Sequence, residues 1–385
     1  MSTNFSVIDP PFLVGLGIAT AVVFVASWIP VRRSWVKWSI RGVGVVLAIV
    51  LAAAGLNARY AYLPTVATLF GRTATDAVSP SQLRKLELAG AGMGDMAQPP
   101  GVGLAIARST ADSALDHGVV VPFAIPATSS HFHPRTAEVY LPPAYFRRHH
   151  PQLPVIELLH GTPGSPVDWT RGAYADVAAD EYASQHHGFA PILVMPDVNG
   201  SWTSDSECVN GKGGAVQTYL AVDVRNAVIA RFHTRPDAGG WAIAGYSEGA
   251  YCSLQIGLRH PDQYHAIGDF SGKEGPTAPG GPRSLFAGTW ARAEHEARRY
   301  DPAVLLKDWH GSVRPAIWFE VGTHDVTLAA MAKLDELARM DGFDTRFVAQ
   351  PQSSHSFASW RASFRDALPW LVASSSASVG TTRGA

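Results

Sequence analysis

Charge is sparse in this chain. Lys, Arg, Asp and Glu make up 16% of the 385 residues, and the net charge is −1. That balance excludes a basic surface built to capture nucleic acid. Cysteine is scarcer still, with Cys208 and Cys252 alone, so a small domain stapled by several disulfides is excluded. No HExxH motif, cysteine cluster or P-loop occurs, nor a G-x-G-x-x-G between a strand and a helix. No metal or other cofactor is therefore expected. The chain has no internal repeat, which excludes solenoids and propellers. No Lys or Arg precedes the first long apolar run, and Asp9 lies there instead. A cleaved signal peptide wants a basic start, so a retained segment is the better reading.

What the N-terminus does have is apolar length. Residues 12–29 carry no charge, and a second apolar run covers 42–56, extendable through Ile40 with Arg41 reaching the interface. A spanning helix needs roughly 20 apolar residues. Residues 1–57 are read as two transmembrane helices, with a buried soluble hairpin as the alternative. Arg32, Arg33, Lys37 and Arg41 fall between the runs. The positive-inside rule then puts this short loop in the cytoplasm, with the N-terminus and the large C-terminal part outside the plasma membrane. Residues 58–116, rich in Ala, Gly, Pro, Ser and Thr with a mildly helical stretch near 81–88, read as an extracytoplasmic tether. Residues 373–385 read as a disordered tail.

The body, residues 117–372, alternates two patterns. Strand candidates are 118–125, 137–141, 153–159, 191–195, 241–244, 265–270, 316–321 and 345–349. Helix candidates are 172–185, 220–232, 249–259, 284–299 and 329–340. Several strands are near-continuous apolar runs, as strands buried on both faces should be. The first two could form an antiparallel hairpin. The alternation predicts an α/β fold: a mostly parallel sheet with helices on both faces, in which sites form at the carboxyl ends of strands.

Four segments fall at such ends. Gly245-Tyr246-Ser247-Glu248-Gly249 lies between an apolar strand and a small-residue helix. That setting suits a nucleophile elbow, with Ser247 pushed up at a tight turn. His160-Gly161-Thr162-Pro163-Gly164 follows 153–159; its free N–H groups, Thr162 first among them, could face an oxyanion with the Glu248 N–H as partner. An ordinary turn is the alternative. Gly322-Thr323-His324-Asp325 follows 316–321; Asp325 could hold a histidine base or merely cap a helix, and Glu320 is the rival acid. Ser353-Ser354-His355-Ser356-Phe357 follows the last strand. His355 is the candidate general base, with His324 its competitor. The order Ser247, Asp325, His355 is that of α/β-hydrolases.

Other features count for less. Asp197, Asn199 and Trp202 lie after a strand end and could line the pocket or shape its loop. Residues 271–281 could be a flap or a plain surface loop. Cys252 falls on the helix after Ser247 and Cys208 in a loop that could pass near it; in an exported domain they could pair or remain two inert thiols.

From Arg135 to about Ala373 the chain resembles the esterase D and antigen 85-type branch of the α/β-hydrolases, which includes feruloyl-esterase-like and mycolyltransferase enzymes. The residues carrying the resemblance are Val139-Tyr140-Leu141-Pro142-Pro143, His160 to Gly164 with Asp168-Trp169, Met195-Pro196-Asp197, Gly245 to Gly249, Asp301-Pro302 and Ser354 to Phe357. The resemblance implies an α/β-hydrolase fold, a Ser247-Asp325-His355 triad and oxyanion donors at Thr162 and Glu248. The membrane helices depart from the many relatives that are soluble or secreted. Three functions are open. A carboxylesterase acting on a small-molecule or lipid ester comes first. An acyltransferase passing the acyl group to a sugar or lipid hydroxyl uses the same triad. A non-catalytic envelope-binding protein would usually have lost a triad member, and none is missing. No obligate protein partner is evident.

Overall fold

The computed structural model describes residues 6–30, 33–69, 76–91, 116–147 and 152–377. They group into two units, one within residues 1–73 together with 356–358, the other within 74–355 and 359–385.

In the first unit, α1 (Pro10–Ala26) and α2 (Ser34–Tyr60) form a hairpin. Two prolines open α1, where their missing N–H groups cost no helical bond. Ser6 bridges Thr65, and the Val7 N–H donates to Pro64 O at 3.0 Å. The start of α1 and the end of α2 therefore lie at the same end of the hairpin. Asn57 closes the exit of α2 by exchanging two 2.8 Å bonds with the Leu63 backbone. The expected pair of spans is corrected here. α2, 27 residues with a window of mean hydropathy 2.1, is long and apolar enough to cross a membrane by length and composition, and α1 is a shorter apolar helix. Helix α2 also begins earlier than the apolar run, so Lys37 and Arg41 lie inside it rather than in a loop. Backbone hydrogen bonding, beginning with the Lys37 N–H to Arg33 O, marks that boundary rather than hydropathy.

The second unit is built on a nine-stranded sheet. Its strands are β1 (Asp76–Ala77), β2 (Val119–Phe123), β3 (Ala137–Leu141), β4 (Val155–Leu159), β5 (Ile192–Met195), β6 (Trp241–Tyr246), β7 (Ala266–Phe270), β8 (Ala316–Gly322) and β9 (Thr345–Gln350). Their order is β1-β2-β3-β5-β4-β6-β7-β8-β9. Only the β2–β3 and β3–β5 pairings are antiparallel, so the expected opening hairpin is present. Strands β4 and β6 are buried along their whole length, as mostly apolar strands covered on both faces should be; the one acid of β4, Glu157, accepts from Tyr264 Oη at 2.8 Å.

Residues 58–116 depart from the expected tether. Asp76–Ala77 adds a parallel edge strand to β2, and helix Pro80–Ala91 follows. Val78, Leu83 and Leu86 are buried in the main core, while Glu87 accepts from Tyr145 Oη at 2.9 Å and pairs with Arg231. Three apolar contacts and an ion pair dock a segment whose composition alone reads as a linker. Residues 92–115 lie outside the described residues. At the other end, the helix Phe357–Ala377 runs past the expected start of the tail, of which 378–385 lie outside the described residues.

Two helix expectations are also refined. Residues 220–232 belong to a longer helix whose Tyr219–Val224 part is a π segment. Residues 284–299 divide into Pro282–Leu285 and Trp290–Arg298, with Thr289 capping the second through a bond from the Arg292 N–H.

Candidate active site

The turn after β6 sets the site. Ser247 has φ 57° and ψ −120°, a backbone region that L residues rarely occupy. Neighbouring backbone holds it there: the Ser247 N–H donates to Phe270 O at 3.0 Å, and Ser247 O accepts from the Ala250 and Tyr251 N–H groups. The flanking glycines are sterically required. A Cβ on Gly245 would lie 2.0 Å from Gly249 O, and one on Gly249 2.1 Å from Leu159 O. Helix Glu248–Arg259 then runs back against the sheet with its first eleven residues buried.

His355 arrives from the loop after β9. Its Nε2 is 2.9 Å from Ser247 Oγ, and its Nδ1 is 2.9 Å from Asp325 Oδ2. Asp325, after β8, also accepts from the Thr327 N–H at 2.9 Å and the Thr327 hydroxyl at 3.0 Å. Burial would raise the Asp325 carboxyl, but the hydrogen bond and charge of His355 and the Thr327 N–H outweigh it and hold the group below its ordinary value. Trp360 braces the base: it meets the His355 ring edge-on at 5.0 Å and stacks on Tyr246 at 4.5 Å. Neither competitor is at the site. The Glu320 oxygens accept from Trp318 Nε1 at 2.8 Å and Gln350 Nε2 at 2.5 Å. The His324 side chain is exposed, and the residue's backbone N–H donates to Ser353 O at 2.8 Å.

The segment after β4 lies against the elbow. A Cβ on Gly161 would be 3.1 Å from Ser247 Cβ. Thr162 is next in the chain, and Glu248 directly follows Ser247, so both candidate N–H donors adjoin the nucleophile. The Glu248 side chain is buried, accepting from Asn199 Nδ2 and from the Glu207 N–H, each at 3.1 Å. Burial first, then the Asp205 and Glu207 carboxyls, push the Glu248 carboxyl well above its ordinary value. Burial likewise raises Glu207 to about 7, although Lys273 Nζ lies 2.7 Å away.

Asp197, after β5, organises the loops around this site. It accepts from Arg135 through the backbone N–H, Nε and Nη2, from the Asn199 and Gly200 N–H groups, and faces His160 Nε2 at 3.2 Å. Burial raises its carboxyl, but the His160 and Arg135 bonds outweigh that and hold it far below the usual carboxylate range. Of the two roles open to Asp197, shaping the loop is the one found. Arg135 had no signal in the sequence, because it reaches Asp197 across 62 residues. Cys208 and Cys252 are joined by a disulfide, with Cα atoms 5.6 Å apart. The bond ties the loop after β5 to the helix after Ser247.

Comparisons with known proteins agree with this architecture. The family model described as "Putative esterase" matches residues 129–371. An uncharacterized protein of Corynebacterium glutamicum is 33% identical over 256 residues, which span 64% of this chain and 58% of that relative's length. Among solved structures, a ferulic acid esterase superposes with a TM-score of 0.55 at 18% identity, covering 67% of this chain and 98% of the other. An S-formylglutathione hydrolase of Agrobacterium tumefaciens gives 0.55 at 17% identity, with 66% and 95% covered. FphF, a fluorophosphonate-binding serine hydrolase of Staphylococcus aureus, gives 0.53 at 19% identity, with 66% and 99% covered. At these identities the structures speak to the fold, whereas the family model covers more than half of the chain. The chain belongs to this esterase family, on an α/β-hydrolase fold.

Proposed function

We propose that the protein is a carboxylesterase that works through a Ser247 acyl-enzyme. The observation carrying this reading is the continuous chain from Ser247 Oγ through the His355 ring to the Asp325 carboxylate, with steps of 2.9 Å each. In acylation, Ser247 Oγ attacks the ester carbonyl carbon while His355 Nε2 takes its proton. The carbonyl π electrons move onto oxygen, where the Thr162 and Glu248 N–H groups hold the charge. Collapse of the intermediate breaks the bond to the alkoxy oxygen, which leaves as the alcohol with the proton from His355. Water then repeats the sequence: His355 takes its proton, the acid departs, and Ser247 recovers its own. Asp325 keeps Nδ1 protonated and stabilises the imidazolium.

The catalytic unit is read as lying outside the plasma membrane, anchored through α2. Support comes from the length and apolar character of α2, and from Lys37 and Arg41 near its N-terminal end, which the positive-inside rule puts on the cytoplasmic side. The Cys208–Cys252 bond suits an oxidising compartment.

Turnover of p-nitrophenyl esters by the purified full chain tests the chemistry. Ser247→Ala should reduce it to background, and undiminished turnover in that variant refutes the mechanism. Adding trehalose or glycerol tests the acceptor: a constant yield of free acid fits hydrolysis, and diversion into a new ester would make the protein an acyltransferase. Protease added to intact cells should digest the catalytic unit; full protection refutes the topology.

A further inference from the structure

We propose that Asn199 is a positioning residue that fixes the distance between the two oxyanion donors. The proposal rests on the triad mechanism above and adds a residue that does not touch the reacting atoms. The donors belong to different segments, Thr162 to the turn after β4 and Glu248 to the start of the elbow helix. Nothing in the chain's connectivity fixes their separation. Asn199, from a third segment after β5, reaches both. Its Nδ2 lies 2.5 Å from Thr162 Oγ1 and 3.1 Å from Glu248 Oε2.

The orientation of the amide follows from its surroundings. Asn199 Oδ1 is 2.9 Å from the Ser206 N–H, which can only donate. The oxygen is therefore on that side and the NH2 group on the other, with one hydrogen for each of its two partners. The Thr162 hydroxyl accepts from Asn199 and has Ser204 O at 3.5 Å for its own proton. Asn199 is itself held, being 5% exposed, with its backbone N–H on Asp197 Oδ1 at 3.1 Å. Asp197 in turn faces His160, the first residue of the turn that carries Thr162. Several bonds run from the loop after β5 to that turn, among them Asp197 to His160 and Asn199 to Thr162; of these two side chains Asn199 is the one that also reaches Glu248, which the Glu207 N–H meets from the same loop. Oxyanion stabilisation depends on donors already aimed at a charge that appears only in the transition state. A slack pair of donors would bind ester as before and turn it over more slowly.

The test uses Asn199→Ala, Asn199→Asp, Thr162→Val and the double variant Asn199→Ala/Thr162→Val in the full-length protein, with Ser247→Ala alongside. Asn199→Asp keeps the acceptor for Ser206 and removes both donated hydrogens. Thr162→Val keeps the backbone N–H and the branched shape while removing the accepting hydroxyl. The expected result is a fall in kcat of about 10- to 100-fold in both Asn199 variants, with KM within about threefold. Thr162→Val should also lower kcat, and the double variant should be no slower than Asn199→Ala, because both changes cut one linkage. Native kcat in a cooperatively melting Asn199 variant overturns the proposal. So do multiplying losses in the double variant, a loss confined to KM, or native kcat in Thr162→Val, which decides the matter even where the Asn199 variants do not fold. Turnover retained by Ser247→Ala would instead overturn the triad reading, so the two failures are distinct.

Discussion

His355 Nε2 lies 2.9 Å from Ser247 Oγ across 108 residues of chain. The two side chains come from different loops, after β9 and after β6, and meet because parallel strands deliver their carboxyl ends to one edge of the sheet. Asp325, 30 residues before His355, arrives from the strand between β7 and β9. Each contact is therefore a product of strand order rather than of sequence proximity.

Asp325→Asn should keep the fold and lose most of the activity. An amide can donate to Nδ1 and so favour the tautomer with its proton on Nε2, which cannot accept from Ser247. A loss of about 10²- to 10⁴-fold in kcat is expected, with KM little changed. Steady-state kinetics on the purified variant checks this; a loss below about tenfold would move the acid elsewhere.

Gly249→Ala should destabilise the protein rather than change its chemistry alone. The new Cβ would sit 2.1 Å from Leu159 O and 2.7 Å from His160 O. Both are backbone atoms that move only if the β4 turn moves. A cost of about 2–4 kcal/mol is expected from such overpacking, read as a lower urea midpoint. An unchanged midpoint would mean that the β4 turn yields freely.

Asp197→Ala should be costly for a different reason. It strips the partner from the half-buried Arg135 guanidinium and orphans the Asn199 and Gly200 N–H groups. Breaking a buried ion pair from one side costs about 3–5 kcal/mol, and part of Arg135 remains in solvent, so about 3 kcal/mol is expected in denaturant unfolding. Activity should fall with it, since the loop that holds Asn199 loses its anchor.

Asp269 gives the pH dependence a sign. It is fully buried, and burial, opposed only by the Gly272 N–H, raises its carboxyl to about 7. The folded state thus holds this proton more tightly than the unfolded chain. Its stabilising contribution is complete below the ordinary carboxylate range and is lost as the pH rises through about 7. Asp269→Asn removes that dependence. The stability difference between variant and native protein should shift towards the variant by about 4 kcal/mol from pH 4 to pH 8. Parallel stability curves across that range would refute the assignment.

Disulfide reduction should weaken the second unit. The Cys208–Cys252 bond closes 44 residues of chain, and losing such a loop constraint is worth about 4 kcal/mol on the chain-entropy model. A drop in Tm on adding reductant, absent in a Cys208→Ala/Cys252→Ala variant, checks it.

The sequence by itself was sufficient for the alternation of strands and helices, because strands buried on both faces leave long apolar runs and the intervening helices leave a different period. It was also enough to put Ser247, Thr162, Asp325 and His355 at strand ends. Asp325 was separable from Glu320 by strand alternation, and the structure finds Glu320 engaged with Trp318 and Gln350. The docking of Asp76–Ala91 was not legible: a two-residue strand has no period, and three buried apolar residues among polar neighbours do not outweigh a linker-like composition. The start of α2 at Ser34 was hidden for a related reason, since hydropathy reports which residues tolerate lipid and not where helical hydrogen bonding begins. Tertiary structure alone decided the rest. The pairing of Cys208 with Cys252, the Arg135–Asp197–His160 hub and the reach of Asn199 to both Thr162 and Glu248 depend on loops from separate strands meeting above one edge of the sheet. A hydrogen bond is short and directional, so such meetings are set by the path of the backbone in space and leave no spacing or periodicity in the chain.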